Sequence, residues 1–301
     1  SSKQEMKFNA VVGNPPYQVN VGKEKDNYGI PIYNQFFDIA RKLSPSFISM
    51  IMPSRWFTGG RGLEQFRKSM LNDSRLQYIY DFVDSKDCFP TVDISGGICY
   101  LLWNYMYNGN CLFTNRFHGS SISNYRKLNE HGVFVRNNSS LSIIEKITSQ
   151  SDLKLNSMVS GQTPFGFITT FRGTSKYFPN AVILKSSGET TYVTREEVKK
   201  NSQWIDLYKV IFSKATCEHA GIPDKNGMYR VISYMGILEP NYICTQSYLV
   251  GGTFDNLLEA ENLQKYIKTK ILRFLMLQTI TSQDISPDKF AFVPLQDFTS
   301  N

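Results

Sequence analysis

The residues of this chain best suited to chemistry are Asn14, Pro15, Pro16 and Tyr17, which directly follow the apolar run 8–13. A planar amine such as adenine N6 attacks a methyl donor well only when acceptors hold both of its N–H groups, because its lone pair is otherwise delocalised into the ring. The Asn14 side chain can supply one acceptor and the Pro15 carbonyl the second, on a backbone whose φ angles the prolines fix. Tyr17 can then stack on the base. The alternative is a proline turn that ends a strand, with Tyr17 as an ordinary half-buried aromatic residue.

Length and composition indicate a globular chain of two domains. Its 301 residues are 41% apolar, which is enough for a substantial core. Because no apolar stretch approaches the length of a membrane span and no signal peptide is evident, we expect a cytoplasmic protein without membrane partners. The cysteines are widely spaced and accompanied by three histidines, which predicts reduced structural thiols and no metal site. These cysteines are Cys88, Cys99, Cys111, Cys217 and Cys244.

The charge distribution suggests a surface that faces phosphate. The net charge is +7, and the basic residues between positions 41 and 75 oppose only Glu64 and Asp73. Solvated helix faces would give the same pattern. In the second half, the turn 171–176 is also basic. The predicted DNA contacts are Arg55, Arg61, Arg67, Lys68, Arg172 and Lys176.

Alternating strand and helix patterns in the first half predict a parallel sheet with an antiparallel edge. Residues 18–30 are polar and glycine-punctuated, typical of an exposed loop that serves as a lid, a DNA clamp or a mere connector. Pro31 is expected to open a helix that ends before Ser44. The remaining predictions are strands at 47–52 and 76–83, a helix near 63–71, and an antiparallel pair formed by 97–105 and 111–117.

The alternation breaks down around residues 151–162, so we predict a domain boundary between residues 154 and 155. Short strands rich in Thr, Tyr, Gly and Ser follow, and then a single long helix at 256–280. On that helix, Leu263, Ile267, Ile271 and Phe274 should share one buried face.

Together these features resemble the adenine-specific DNA methyltransferases of type II restriction–modification systems, especially those fused to or paired with an endonuclease. The resemblance spans nearly the whole chain. Besides residues 14–17, it rests on segments 51–57, 59–63, 88–100, 266–275 and 292–298.

This resemblance implies an α/β fold, the C-terminal part of a Rossmann-like methyltransferase sheet with an antiparallel edge, followed by a mixed α+β target-recognition domain. It assigns Asn14 and the Pro15 carbonyl to the target amine and Tyr17 to stacking. It also adds Phe89 as a second aromatic side chain on the adenine, which must leave the duplex to be reached. Taken alone, Phe89 would be read as a core residue.

The family's cofactor, S-adenosylmethionine, is bound by a glycine-rich turn that precedes the catalytic motif, and only thirteen residues precede Asn14 here. Gly251 and Gly252 are not followed by a strand that ends in an acid. We therefore expect most of the cofactor half to be missing from this chain. The strand that ends at Gly13 should then lie at a sheet edge. The expected partners are double-stranded DNA and a cofactor-binding half or an endonuclease domain or subunit.

Three functions remain open from sequence. The leading hypothesis is a site-specific DNA adenine N6-methyltransferase, or its base-binding and recognition portion. The second is a catalytically silent DNA-recognition module that works with a partner subunit. The third is methylation of a protein glutamine or an RNA base, against which the long extension after residue 155 argues.

Overall fold

The computed structural model describes residues 8–21, 28–57, 62–94, 96–117, 119–216, 226, 229, 231–280 and 284–300. The chain divides into two compact units, Ser1–Leu141 and Ser142–Asn301. Residues 142–154, which the sequence pattern grouped with the first part, lie in the second unit. Backbone hydrogen bonds there join Leu155 to Val293 and Leu295 to Leu153. The assignment of catalysis to the first part and recognition to the second remains a prediction.

The first unit contains a mixed sheet with helices on one face. Its elements are β1 (Ala10–Gly13), β2 (Gln18–Val21), β3 (Tyr28–Pro31), α1 (Tyr33–Lys42), β4 (Phe47–Pro53), α2 (Glu64–Leu71), β5 (Leu76–Phe82), β6 (Ile98–Asn104), β7 (Cys111–Phe117) and β8 (Ser120–Arg126). The sheet order is β1-β4-β6-β5-β7-β8. β1 runs parallel to β4 and β5 parallel to β7, whereas β6 is antiparallel to both of its neighbours and β8 is an antiparallel edge. The predicted α/β class with an antiparallel edge is confirmed.

β1 is an edge strand in the part of the chain that the structure describes. It pairs with β4 from Ala10 to Gly13, and its other side has no strand partner among the described residues. Val12 is 78% exposed on this edge. An edge of this kind among the described residues leaves backbone groups with which another strand can pair.

The predicted antiparallel pairing of 97–105 with 111–117 is wrong. β5 lies between β6 and β7, antiparallel to the first and parallel to the second. The connection between β6 and β7 passes around the start of β5, where Asn104 donates to the Arg75 carbonyl and Gly109 to the Ser74 carbonyl. A turn motif predicts reversal of the chain but does not predict which strand will occupy the space between its two arms.

The predicted polar loop at 18–30 is also wrong at its two ends, because β2 and β3 form an antiparallel pair there. Residues 22–27 lie outside the described residues. Pro31 ends β3 instead of opening the helix, and α1 begins at Tyr33. The end of α1 is as predicted, with Ser44 in a left-handed conformation at φ +50°.

One face of the sheet carries the core and the other remains partly open. Phe37, Trp56, Phe66 and Phe113 pack edge-on to one another or to neighbouring rings in the core. On the opposite face, half-buried aromatic side chains form a ladder, in which Tyr80 and Tyr100 stack with ring centroids 5.2 Å apart. Phe37 lies on α1 and Phe66 on α2, so these two helices cover the core face of the sheet.

The described residues of the second unit form two small sheets and three helices. Its elements are α3 (Leu141–Thr148), β9 (Val182–Lys185), β10 (Thr190–Val193), β11 (Tyr208–Ser213), β12 (Met235–Leu238), β13 (Tyr242–Cys244), β14 (Tyr248–Phe254), α4 (Leu257–Ile267) and α5 (Lys270–Leu277). The sheet orders are β10-β9-β13 and β12-β11-β14. A shared core that includes Phe165, Leu184, Ile211 and Val250 joins them. This mixed architecture agrees with the predicted α+β class.

The predicted single helix at 256–280 is wrong, because it breaks between α4 and α5. The Thr269 side chain caps α5 by accepting a hydrogen bond from the Leu272 amide. The break shifts the helical phase, so that Ile271 is 43% exposed while Leu272 and Leu275 are buried. Apolar periodicity alone did not reveal the break because both helices are amphipathic.

Candidate active site

Three connecting segments of the first unit meet at the edge of the sheet formed by the carboxyl ends of β1, β4 and β5. Residues 14–17 follow β1, a 3₁₀ turn (Ser54–Phe57) follows β4, and a second 3₁₀ turn (Ser85–Asp87) lies two residues beyond β5. β1, β4 and β5 all end at this edge, and β6 starts there opposite Pro53 and Phe82. The crevice beyond the carboxyl ends of strands is where open α/β sheets bind ligands.

The segment 14–17 presents Asn14 at the surface on an anchored backbone. Asn14 and Pro16 are exposed, whereas Pro15 is buried. The Ile32 amide donates a hydrogen bond of 3.2 Å to the Tyr17 carbonyl, which fastens the end of the segment to the start of α1. The Asn14 amide can therefore meet a ligand without a rearrangement of the backbone.

Tyr17 lies between Asn14 and the loop that contains Phe89. Burial raises the pKa of the Tyr17 phenol, the Cys88 and Cys99 thiols reinforce the rise, and the adjacent Asn14 side chain opposes it. The hydroxyl is buried and makes no hydrogen bond of standard geometry among the described residues. Asn14, Tyr17 and the residue next to Phe89 are thus brought together at this edge.

Other buried polar atoms around the same edge also lack a standard hydrogen bond within the described part of the chain. They are the Tyr33 hydroxyl, the Trp56 indole nitrogen and the Asn34 side-chain oxygen. Burial raises the pKa of Tyr33, the Cys99 thiol adds to this, and the Arg55 guanidinium and the Trp56 backbone oppose it.

A buried ionic network supports the segment after β4. Asp81 is fully buried and accepts hydrogen bonds of 2.7 Å from the Ser54 hydroxyl and from both Nε and Nη2 of Arg136. Asn115 donates a further bond of 3.2 Å to the same carboxylate. The network fixes Ser54 against β5, and with it the turn that carries Arg55 and Trp56. A bidentate, fully hydrogen-bonded pair of this kind constrains geometry strongly.

Gly97 lets this network close. Its φ is +77°, and a Cβ built there would lie 2.3 Å from the Phe82 carbonyl oxygen and 2.7 Å from Nη2 of Arg136. The Gly97 carbonyl also accepts the Ser54 amide at 3.0 Å. Sequence reasoning missed Ser54, Asp81 and Arg136. The available signal was an acidic residue within an apolar strand, since a buried carboxylate requires a partner.

The loop that carries Phe89 is closed by its own hydrogen bonds. The Phe89 amide donates to the Ser85 carbonyl at 2.8 Å, and the Ser85 hydroxyl bonds both the Val92 carbonyl and the Ile94 amide. The Phe89 side chain is half-buried. Its neighbour in the chain, Cys88, lies near Tyr17, and a stacking role for Phe89 remains a prediction.

The predicted DNA-contacting residues differ in availability. Arg55 and Lys68 are exposed, whereas Arg67 is half-buried and donates from Nε to the Phe57 carbonyl at 2.7 Å. Arg61 lies outside the described residues. In the second unit, Lys176 is exposed. Arg172 pairs with Glu189 at 2.6 Å and also donates to the Thr169 carbonyl.

The comparison with known families bears on the same part of the chain. Residues 1–89 match the family described as the Eco57I restriction-modification methylase. An uncharacterized adenine-specific methylase of Mycoplasma pneumoniae is 34% identical over 132 residues, which are 43% of this chain and 31% of that protein. The first 89 residues are thus similar to methylases of the restriction–modification type. The chain spans about a third of the length of this relative, and the resemblance predicted from the motifs is confirmed for the matched part.

Solved structures of restriction–modification enzymes are also similar. The type IIG restriction endonuclease BpuSI is 10% identical with a TM-score of 0.41, covering 94% of this chain and 46% of its own. The type IIL restriction–modification enzyme MmeI, solved in complex with DNA, is 9% identical with a TM-score of 0.43, covering 93% and 45%.

No described strand or glycine-rich turn precedes β1, and the glycine pair in β14 has a packing role. A Cβ at Gly251 would lie 2.8 Å from the Phe212 ring, and one at Gly252 would lie 2.8 Å from the Leu263 side chain. Within the described part of the chain, no cluster of potential metal ligands occurs and no helix is long and apolar enough to cross a membrane.

Proposed function

We propose that this chain is the target-base-binding and recognition portion of a site-specific DNA adenine N6-methyltransferase of a restriction–modification system. The observation that carries the proposal is the exposed Asn14 amide at the carboxyl end of β1, with Tyr17 beside it. The family match over residues 1–89 supports the same assignment.

The proposed chemistry is that of an acceptor pair that reorients an amine. The side-chain amide oxygen of Asn14 and the backbone carbonyl oxygen of Pro15 accept hydrogen bonds from the two N–H groups of N6. The lone pair of N6 then points out of the ring plane toward the methyl donor. The extruded adenine stacks on Tyr17, with Phe89 on the adjoining loop as the second aromatic side chain. The methyl donor is held by a part that the described residues do not supply.

The rigidity of the edge supports this role. The Asp81–Arg136 pair holds the segment after β4, and the Ile32–Tyr17 hydrogen bond holds the segment after β1. Acceptors that are fixed before the reaction stabilise the transition state without a reorganisation cost. Exposed Arg55 and Lys68 are proposed to contact phosphates near the target base.

A second candidate function is a DNA-recognition module without catalysis of its own. The net charge of +7 and the exposed Arg55 and Lys68 side chains support it. Calorimetric titration with S-adenosylmethionine, on the chain alone and on the chain combined with a cofactor-binding partner, separates the two. Catalysis requires binding in at least one of these preparations.

The test of the proposed function is Asn14→Ala in a preparation that binds the cofactor. We expect the methyl-transfer rate to fall by about a hundredfold or more, because one preorganised polar contact to the transition state is lost. DNA affinity should change less than about twofold, because the contact matters chiefly as the amine pyramidalises.

Asn9→Ala is the matched control for this test. Asn9 is exposed and directly precedes Ala10, the first residue of β1. Its backbone carbonyl, which the substitution keeps, accepts a hydrogen bond from the Phe47 amide. It should leave both the rate and the affinity unchanged. Retention of more than about a tenth of the rate by Asn14→Ala would contradict the role of Asn14.

A further inference from the structure

Two surface cavities of the second unit adjoin at Tyr234. One has a volume of about 290 Å³ and is lined by Lys185, Tyr234 and Glu239, among others. The other has a volume of about 280 Å³, and its lining includes Tyr234, Lys268 and Arg273. The surface that lines both cavities is here called the Tyr234 groove, and its lining carries three cations and one carboxylate.

The three cations of this groove are not neutralised by a carboxylate in the described part of the chain. Among the described residues, no ion pair of 4.0 Å or less involves Lys185, Lys268 or Arg273, whereas four other basic side chains of the unit form such pairs. The ion pairs in question are Arg172–Glu189, Arg195–Asp206, Lys214–Asp284 and Lys289–Asp288.

Neutral groups orient the three cations instead. The Lys185 ammonium lies 5.3 Å from the ring centroid of Tyr234 and 5.5 Å from that of Tyr248. The Lys268 ammonium donates to the Gln264 side chain at 3.1 Å, and Nε of Arg273 donates to the Thr269 carbonyl at 3.4 Å. Contacts of this kind hold a cation in place without cancelling its charge.

Tyr234 is both exposed and fixed. Its side chain is 43% exposed. Its carbonyl accepts the Ser213 amide at 2.9 Å, and its ring meets Tyr248 edge-on with centroids 5.5 Å apart. A Cβ added at Gly236 would lie 2.8 Å from the Tyr234 hydroxyl, so the missing side chain of Gly236 lets the phenol lie across β12.

We propose that the Tyr234 groove binds the phosphate backbone of duplex DNA, with Lys185, Lys268 and Arg273 on the phosphates and Tyr234 packed against the sugar between them. The proposal rests on the proposed function, because it takes DNA as the substrate. Unneutralised cations around an exposed aromatic side chain suit a polyanion, which releases counterions when phosphates bind. Glu239 closes one end of the groove and limits the length of backbone that it holds.

The experiment measures binding of the full chain to a duplex oligonucleotide by fluorescence anisotropy between about 50 and 200 mM salt. We expect the combined change Lys185→Gln, Lys268→Gln and Arg273→Gln to weaken binding at least about tenfold and to reduce the slope of log affinity against log salt by about 2 to 3. Single changes at Lys185 and Lys268 keep the test valid if the triple variant does not fold.

One further variant separates charge from shape, and two others serve as controls. Gly236→Ala should displace the Tyr234 phenol and weaken binding severalfold with an unchanged salt slope, because no charge is altered. Lys199→Gln and Lys265→Gln, at exposed positions that do not line the groove, are the matched controls and should change the slope less than the groove variants do.

The possible results distinguish the two proposals. If the groove variants bind as the wild type does while Arg55→Gln or Lys68→Gln weakens binding, the groove proposal is overturned and the proposed function stands. If the wild-type chain binds no duplex DNA, or binds duplex RNA instead, DNA as substrate is overturned together with the groove.

Discussion

Charged side chains have different partners in two regions: the edge of the first unit's sheet where β1, β4 and β5 end, and the Tyr234 groove of the second unit. At the edge, Asp81 and Arg136 neutralise each other in a hydrogen-bonded network, and Arg67 donates to a backbone carbonyl. In the groove, Lys185 and Lys268 contact only neutral groups among the described residues. A site that must hold reacting atoms needs rigid geometry, whereas a surface that binds a polyanion needs charge that remains available. The type of a charged residue does not show which of these two roles it has, but the partners of its charge do.

The largest expected effect concerns the paired charges. Arg136→Met should destabilise the first unit by about 3–5 kcal/mol, because it leaves the fully buried Asp81 carboxylate without its cation. Lys185→Gln in the groove should change stability by less than about 0.5 kcal/mol. Denaturant unfolding, followed by hydrogen exchange of each unit, measures both. If Arg136→Met lowered the free energy of unfolding by less than about 1 kcal/mol, the proposed difference between the two regions would be contradicted.

A buried cation that forms no ion pair of 4.0 Å or less among the described residues provides the intermediate case. Lys209 is fully buried and donates to the Trp204 and Ile205 carbonyls, and its burial lowers its pKa to about 8. Below about pH 8 both the folded and the unfolded chain carry this proton. Between about 8 and the ordinary value of 10.5 the unfolded chain binds a proton that the folded chain lacks. The free energy of unfolding should therefore rise with pH in this window.

Lys209→Met isolates this contribution from the tyrosines and cysteines that also titrate at alkaline pH. The difference in unfolding free energy between the wild type and Lys209→Met should change by at most about 3 kcal/mol across the window, in favour of the wild type at high pH. Denaturant titrations at several pH values give this difference. A pH-independent difference would show that Lys209 keeps its ordinary pKa.

The smallest expected effect separates the ring of Tyr17 from its hydroxyl. Tyr17→Phe should keep an extruded base stacked, whereas Tyr17→Ala should weaken its hold by about 1–3 kcal/mol. A 2-aminopurine probe at the methylated position, once that position is known, reports the stacking through its fluorescence. If Tyr17→Ala and the wild type give the same fluorescence, the ring does not stack on the base.

Local features of the fold could be predicted from the sequence. The continuous apolar run at 47–52 predicted β4, and the apolar spacing between Ile32 and Leu43 predicted α1. Each of these depends on a single segment and its period.

Features that depend on distant residues could not be predicted. The insertion of β5 between β6 and β7 depends on pairing across the sheet, which a turn motif does not encode. Asp81 and Arg136 are 55 positions apart, so no local pattern joins them. The break at Thr269 escaped detection because both flanking segments have helical periodicity. The basic run at 41–75 also suggested more available charge than exists, since Arg41 and Arg75 both pair with Asp73.

The most direct test of the proposed acceptor site at Asn14 is identification of the methylated product by nucleoside mass spectrometry. DNA, RNA and protein substrates are each incubated with S-adenosylmethionine and the cofactor-competent preparation. We expect N6-methyladenine in duplex DNA, formed by the wild type and by Asn9→Ala and nearly absent with Asn14→Ala. Methylation of cytosine N4, of RNA or of a protein glutamine in place of adenine, or undiminished N6-methyladenine with Asn14→Ala, would contradict the site.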